Sequence, residues 1–80
     1  MNTPPLIDVH GLTKVDALHT LRMNIKFFYD QGFPEVTIVH GHGQGILKQA
    51  VRQFLGQVYF IKKIKSINND GATVAIFKPN

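Results

Sequence analysis

Apolar and polar positions along the chain switch between a period of two and a period near four, and the switches mark six elements. Leu6-Ile7-Asp8-Val9-His10 reads as a short strand ended by Gly11. Val15, Leu18, Leu21, Ile25 and Phe28 then recur at spacings of three and four, the signature of a helix, with Lys14, Arg22 and Lys26 largely off the stripe. Thr13 is suited to cap that helix, and Asp16 sets a negative charge at its positive end. Gln31-Gly32-Phe33-Pro34 supplies the stop: Gly32 takes the left-handed position past the last turn, and Pro34 cannot continue the helix. Val36-Thr37-Ile38-Val39 is a β-branched run suited to a buried strand. It leads into His40-Gly41-His42-Gly43-Gln44-Gly45 and a second helix from about Ile46, with Leu47, Ala50, Val51, Phe54 and Leu55 as its apolar face. Isoleucines 61, 64 and 67 fit neither period, and a strand is expected there. Asn68 to Gly71 form a turn, and Ala72 to Phe77 the returning strand.

The order β-α-β-α-β-β predicts an α/β chain, a two-layer α+β sandwich with a mixed four-stranded sheet. Its first two strands should be parallel, joined by a right-handed crossover, and its last two an antiparallel hairpin. A tail over residues 1–5 and one domain over residues 6–78 are expected, because 80 residues cannot enclose a second core. No apolar run approaches the roughly 20 residues that span a bilayer, so no membrane partner is expected. Met-Asn-Thr-Pro-Pro lacks the charged and apolar regions of a secretory signal.

Composition narrows the chemistry. With no cysteine there is no disulfide, thiolate nucleophile or Cys-type zinc site, and a reducing cytoplasm suits the chain. A net charge of +4 is compatible with a polyanionic partner and equally with an ordinary soluble surface. The sharper signals lie at strand ends, where parallel βαβ units collect ligands. Asp8 and His10 are two apart and should share a strand face, while His40 and His42 follow the second strand. Gly41, Gly43 and Gly45 permit close backbone approach, and the helix after them offers unpaired N–H groups to an anion such as phosphate. Lys48 and Arg52, four apart, would reinforce that site, as would Lys14. Neither a P-loop Gly-Lys-Ser/Thr nor a dinucleotide fingerprint is present, so a phosphodiester backbone fits better than a nucleotide cofactor. Each piece also has a bland reading: a structural Asp-His pair, a tight connection, a solvated basic face. Lys62, Lys63 and Lys65 equally suit the protection of a strand edge.

Ile7-Asp8-Val9-His10-Gly11-Leu12-Thr13, with Val39-His40-Gly41-His42-Gly43-Gln44-Gly45-Ile46-Leu47 and the closing Gly71-Ala72-Thr73-Val74, resembles the Smr (small MutS-related) domain. The family pattern is Leu-Asp-x-His followed by His-Gly-x-Gly-x-Gly. Here Ile7 replaces the Leu, and His42 stands where Lys or Arg is more usual. The resemblance implies a fold similar to the C-terminal domain of translation initiation factor three. It also implies a nucleic-acid-binding endonuclease, acting on DNA in recombination suppression and repair or on RNA in ribosome-associated quality control. It further implies that the chain is the C-terminal domain of a MutS-like parent, the parent dimeric and the isolated domain monomeric.

On this reading His10 is the general base oriented by Asp8, and His40 or His42 protonates the leaving oxygen. The Gly43 and Gly45 amides stabilise the charge on phosphorus-bound oxygens. Attack by an RNA 2′-hydroxyl would require no cofactor, whereas DNA hydrolysis would bring in Mg²⁺ or Mn²⁺ at Asp8. The alternatives are a non-catalytic DNA- or RNA-binding module using the same loop and basic helix face, and a zinc or nickel site made by Asp8, His10, His40 and His42.

Overall fold

The computed structural model describes residues 5–43 and 45–79. Six elements follow one another: β1 (Leu6–Asp8), α1 (Lys14–Asp30), β2 (Glu35–Val39), α2 (Ile46–Leu55), β3 (Ile61–Ile67) and β4 (Ala72–Phe77). The sheet order is β1-β2-β4-β3. β1 and β2 are parallel, and β4 runs antiparallel to both β2 and β3. This is the expected α+β architecture. Residues 1–4 of the expected tail lie outside the described residues, whereas Pro5 already joins the sheet, its carbonyl accepting from the Thr37 amide at 3.1 Å.

One sheet face carries Ile7, Val36, Ile38, Ala75 and Phe77, and against it pack Ala17, Leu21 and Ile25 of α1 and Val51 and Leu55 of α2. Burying these side chains is what holds the domain, each Val, Leu, Ile and Phe contributing roughly 1.5–3 kcal/mol before chain entropy is counted and the alanines less. The helix over α1 forms as expected, with Thr13 Oγ1 accepting from the Asp16 amide at 3.2 Å. Its buried stripe is Ala17-Leu21-Ile25, not one starting at Val15, which is 76% exposed. Val15 and Ala17 are separated by about 200° around the helix, so only one of them can face the sheet.

The isoleucines of β3 are explained by an irregularity in the ladder. Ile61 pairs with Phe77 and Ile64 with Ala75, because the register shifts between Ile61 and Lys63. The extra residue brings two isoleucines three apart onto one face, which unbroken alternation forbids. Ile67, opposite Ala72, falls on the other face. The β3–β4 turn is built from Asn68, Asn69 and Asp70 at φ of 55°, 51° and 70°. Asn and Asp are the non-glycine residues that best tolerate this left-handed region. No helix among the described residues is long and apolar enough to cross a membrane.

Candidate nucleic-acid interface

β1 ends at Asp8, two residues earlier than expected, so alternation along a strand does not bring Asp8 and His10 together. The chain turns instead. The His10 amide donates to Asp8 Oδ1 at 3.1 Å, and Nδ1 of the same histidine lies 2.5 Å from that oxygen. A carboxylate only accepts, so Nδ1 carries the proton and Nε2 is left as the acceptor of the neutral ring. The two hydrogen bonds from His10, with the smaller influence of its charge, hold the Asp8 carboxyl below its ordinary value. Both side chains are open to solvent, that of His10 by 65%.

The parallel β1–β2 pair carries the glycine loop to the same rim. A cleft of about 200 Å³ is lined by His10, Gly11, His40, Gly41, His42 and the start of α2. Gly41 has a φ of +82°, and a Cβ there would sit 3.4 Å from the His10 Cβ, so a side chain would be strained and would crowd the catalytic candidate. Gly45, at φ +83°, precedes α2 without a side-chain cap, and the first turn of α2 holds no acidic residue. The amides of that turn, the positive end of α2, can therefore receive an anion.

The three histidines do not act alike. His40 is buried, 4% exposed. Its Nδ1 donates to the Gly41 carbonyl at 3.0 Å, and its Nε2 lies 2.9 Å from the Thr73 hydroxyl. With the proton committed to Nδ1, Nε2 accepts from Thr73, and neither nitrogen is free for substrate. His42 is exposed, and its Nε2 donates to the Asn68 carbonyl at 2.9 Å. The rings thus point to three different partners, and among the described residues no three His or carboxylate side chains gather where they could hold a metal ion. The alternative of a zinc or nickel cluster made by Asp8, His10, His40 and His42 is not formed among the described residues.

The basic residues are distributed differently from expectation. Lys48 forms an ion pair with Asp70 at 3.2 Å, and Arg52 donates to the Ser66 hydroxyl, so both lean on the β3–β4 hairpin and neither lines the cleft. Hydrogen bonds from Ser66 and Lys48, with the charges of Lys48 and Arg52, hold the Asp70 carboxyl below its ordinary value. Lys14 lines a separate groove between α1 and α2.

Sequence reasoning missed the support of the loop. The Gly71 carbonyl accepts from the amides of His40 (3.2 Å) and Gly41 (2.9 Å), while Asn68 accepts from His42. The β3–β4 turn was legible as a turn, but its approach to the glycine loop depends on β4 inserting beside β2, a non-local pairing with no local signal.

A two-layer α+β domain with an Asp-His pair and a His-Gly loop on one rim is the class these features define. The Smr domain family model matches residues 7–78, and the chain belongs to that family. Among curated relatives, Endonuclease MutS2 of Caldicellulosiruptor saccharolyticus is 39% identical over 59 residues, 74% of this chain and 8% of that protein. Endonuclease MutS2 of Geobacillus thermodenitrificans is 38% identical over 68 residues, 84% of this chain and 9% of that protein. The chain therefore spans less than a tenth of either relative. The crystal structure of the Smr domain of Thermus thermophilus MutS2 superposes with a TM-score of 0.88 at 25% identity, covering 94% of this chain and 99% of that one.

Proposed function

We propose that this Smr domain binds a nucleic-acid phosphodiester in the glycine-loop cleft and cleaves it by acid–base catalysis at His10. The observation that carries the reading is the Asp8–His10 pair at 2.5 Å, which leaves His10 Nε2 as the basic nitrogen beside the cleft. Asp8 positions the ring and stabilises the imidazolium formed when Nε2 takes a proton. With RNA, that proton comes from the 2′-hydroxyl. The 2′-oxygen bonds to phosphorus, the bond from phosphorus to the 5′-oxygen breaks, and a cyclic phosphate and a 5′-hydroxyl result. With DNA, the proton comes from an attacking water, whose oxygen bonds to phosphorus as the bond from phosphorus to the 3′-oxygen breaks, and a 5′-phosphate and a 3′-hydroxyl result. The amides of Gly43 and Gly45 and the first turn of α2 receive the non-bridging oxygens. His42, with Nε2–H held by the Asn68 carbonyl, is the imidazole that acts as acid: in its doubly protonated form it gives the Nδ1 proton to the leaving oxygen and returns to the neutral Nε2–H ring, and buried His40 is a positioning residue.

A resident Mg²⁺ or Mn²⁺ fits these residues poorly. Asp8 is the one carboxylate in the pair, and its Oδ1 already accepts two hydrogen bonds.

The 65% exposure of the His10 side chain supports a second reading, a module that binds the backbone without turnover. Purified protein assayed on supercoiled plasmid and structured RNA distinguishes the two. Catalysis predicts that His10→Ala loses about 10²–10⁴-fold in rate and that Asp8→Asn is also slowed. Undiminished cleavage by both variants refutes the assignment, and salt-sensitive binding without cleavage at any pH establishes the binding module. End-group analysis identifies the nucleophile: a cyclic phosphate for RNA attack, a 5′-phosphate for water.

A further inference from the structure

A second concavity of about 190 Å³ lies between the helices, lined by Lys14 and Arg22 of α1, by Gln53 and Gln57 of α2, and by the Phe54 ring. It shares a wall, helix α2, with the cleft. Ile46 and Leu47 line the cleft, and Ala50, Gln53, Phe54 and Gln57 follow at helical spacing along the same side of α2. At the other wall Gly11 lines the cleft, and Lys14 opens α1 three residues later.

The chemistry of this seam is that of a backbone track. No carboxylate lines it, and among the described residues neither Lys14 nor Arg22 forms an ion pair, in contrast to Lys26 with Asp30 and Lys48 with Asp70. The Arg22 guanidinium lies 5.6 Å from the centre of the Phe54 ring, which steadies the side chain without neutralising it. Eight residues separate Lys14 from Arg22, about 12 Å along a helix, or three to four nucleotide steps of a strand at about 3.4 Å each. Gln53 and Gln57, four apart, each offer a donor and an acceptor for sugars and base edges.

We propose that the α1–α2 seam is a second contact surface for nucleic acid, with Lys14 and Arg22 gripping the backbone of the strand whose phosphate enters the glycine-loop cleft. The proposal rests on the nucleic-acid reading of that cleft and adds the path the strand takes away from it.

The test measures binding of a fluorescein-labelled DNA duplex by anisotropy over a range of salt. Each lost phosphate contact flattens the plot of log K against log salt by about 0.9, so Lys14→Gln with Arg22→Gln should flatten it by about 1.8. Lys62→Gln with Lys63→Gln removes the same charge from exposed β3 and should leave the slope near the wild-type value. Gln53→Glu with Gln57→Glu spares both cations, retains good helix formers and should weaken binding at low salt. Equal flattening by the two lysine-containing pairs would mean that net charge acts and the seam does not, overturning the proposal. A wild-type slope in both seam variants, with binding weakened by His42→Ala, overturns the seam and leaves the cleft reading intact. No binding by the wild-type chain overturns both.

Discussion

Gly71→Ala is a small change at a residue with no chemistry, yet the structure predicts that it loosens the candidate site. A Cβ at Gly71 would lie 2.8 Å from His42 Cε1, 2.9 Å from His42 Nε2 and 3.1 Å from the Asn68 carbonyl oxygen. Carbon atoms settle at about 3.5 Å or more, so the imidazole must retreat by roughly 0.7 Å. Taken along the bond, that retreat stretches the 2.9 Å link from His42 to Asn68 past the limit of a hydrogen bond. Losing it costs about 0.5–1.5 kcal/mol. In a domain of this size that lowers Tm by about 2–12 °C, with the smaller values favoured because an exposed ring can swing aside. Thermal melts followed by circular dichroism measure the loss, and the His42 ring resonances in NMR report the displaced imidazole. The penalty should shrink when Gly71→Ala is made in a His42→Ala background, since the clash and its partner are then gone together. An unchanged Tm with unmoved His42 resonances would refute the close packing of ring and turn. An equal penalty in both backgrounds would assign the cost to the Asn68 carbonyl.

Three further outcomes follow from the same geometry. Thr73→Val keeps the shape but leaves His40 Nε2 buried without its hydroxyl donor, and should cost about 1–3 kcal/mol in denaturant titrations; a neutral substitution would show that the contact is not made. Asp70→Asn releases Lys48 from its ion pair, so it should tighten nucleic-acid binding and steepen its salt dependence, and weaker binding would count against a phosphate role for Lys48. Asp8 is held below its ordinary 3.8 by the hydrogen bonds from His10, so its share of stability is full above about pH 4 and fades as pH falls through the lowered value. Asp8→Asn should therefore flatten the acid side of the stability profile, and profiles that stay parallel to pH 2 would contradict the pairing.

The elements of this chain are local facts. The spacing of Leu21 and Ile25, the Thr13 cap, the Gly32 stop and the β-branched run at Val36 each act within a few residues. Nearest-neighbour sterics and periodicity are therefore enough to announce both helices and the β1–β2 crossover. The Asp8-x-His10 and His40-to-Gly45 motifs are legible for the same reason, as is the rim they share, because parallel strands end on the same side. What each of those side chains does was decided only by the tertiary structure. Insertion of β4 between β2 and β3 brings Thr73 to His40, Asn68 and Gly71 to the glycine loop, and Asp70 to Lys48. His40 passes from candidate acid to buried support through a partner 33 positions away. Lys14 moves from the loop to the helix seam because α1 packs on α2. The ladder shift in β3 likewise appears only when Phe77 and Ala75 are set against it. Periodicity fixes which face of an element is apolar, but the partner that face meets is set by long-range pairing, where loop-closure entropy is offset by burial of the whole core.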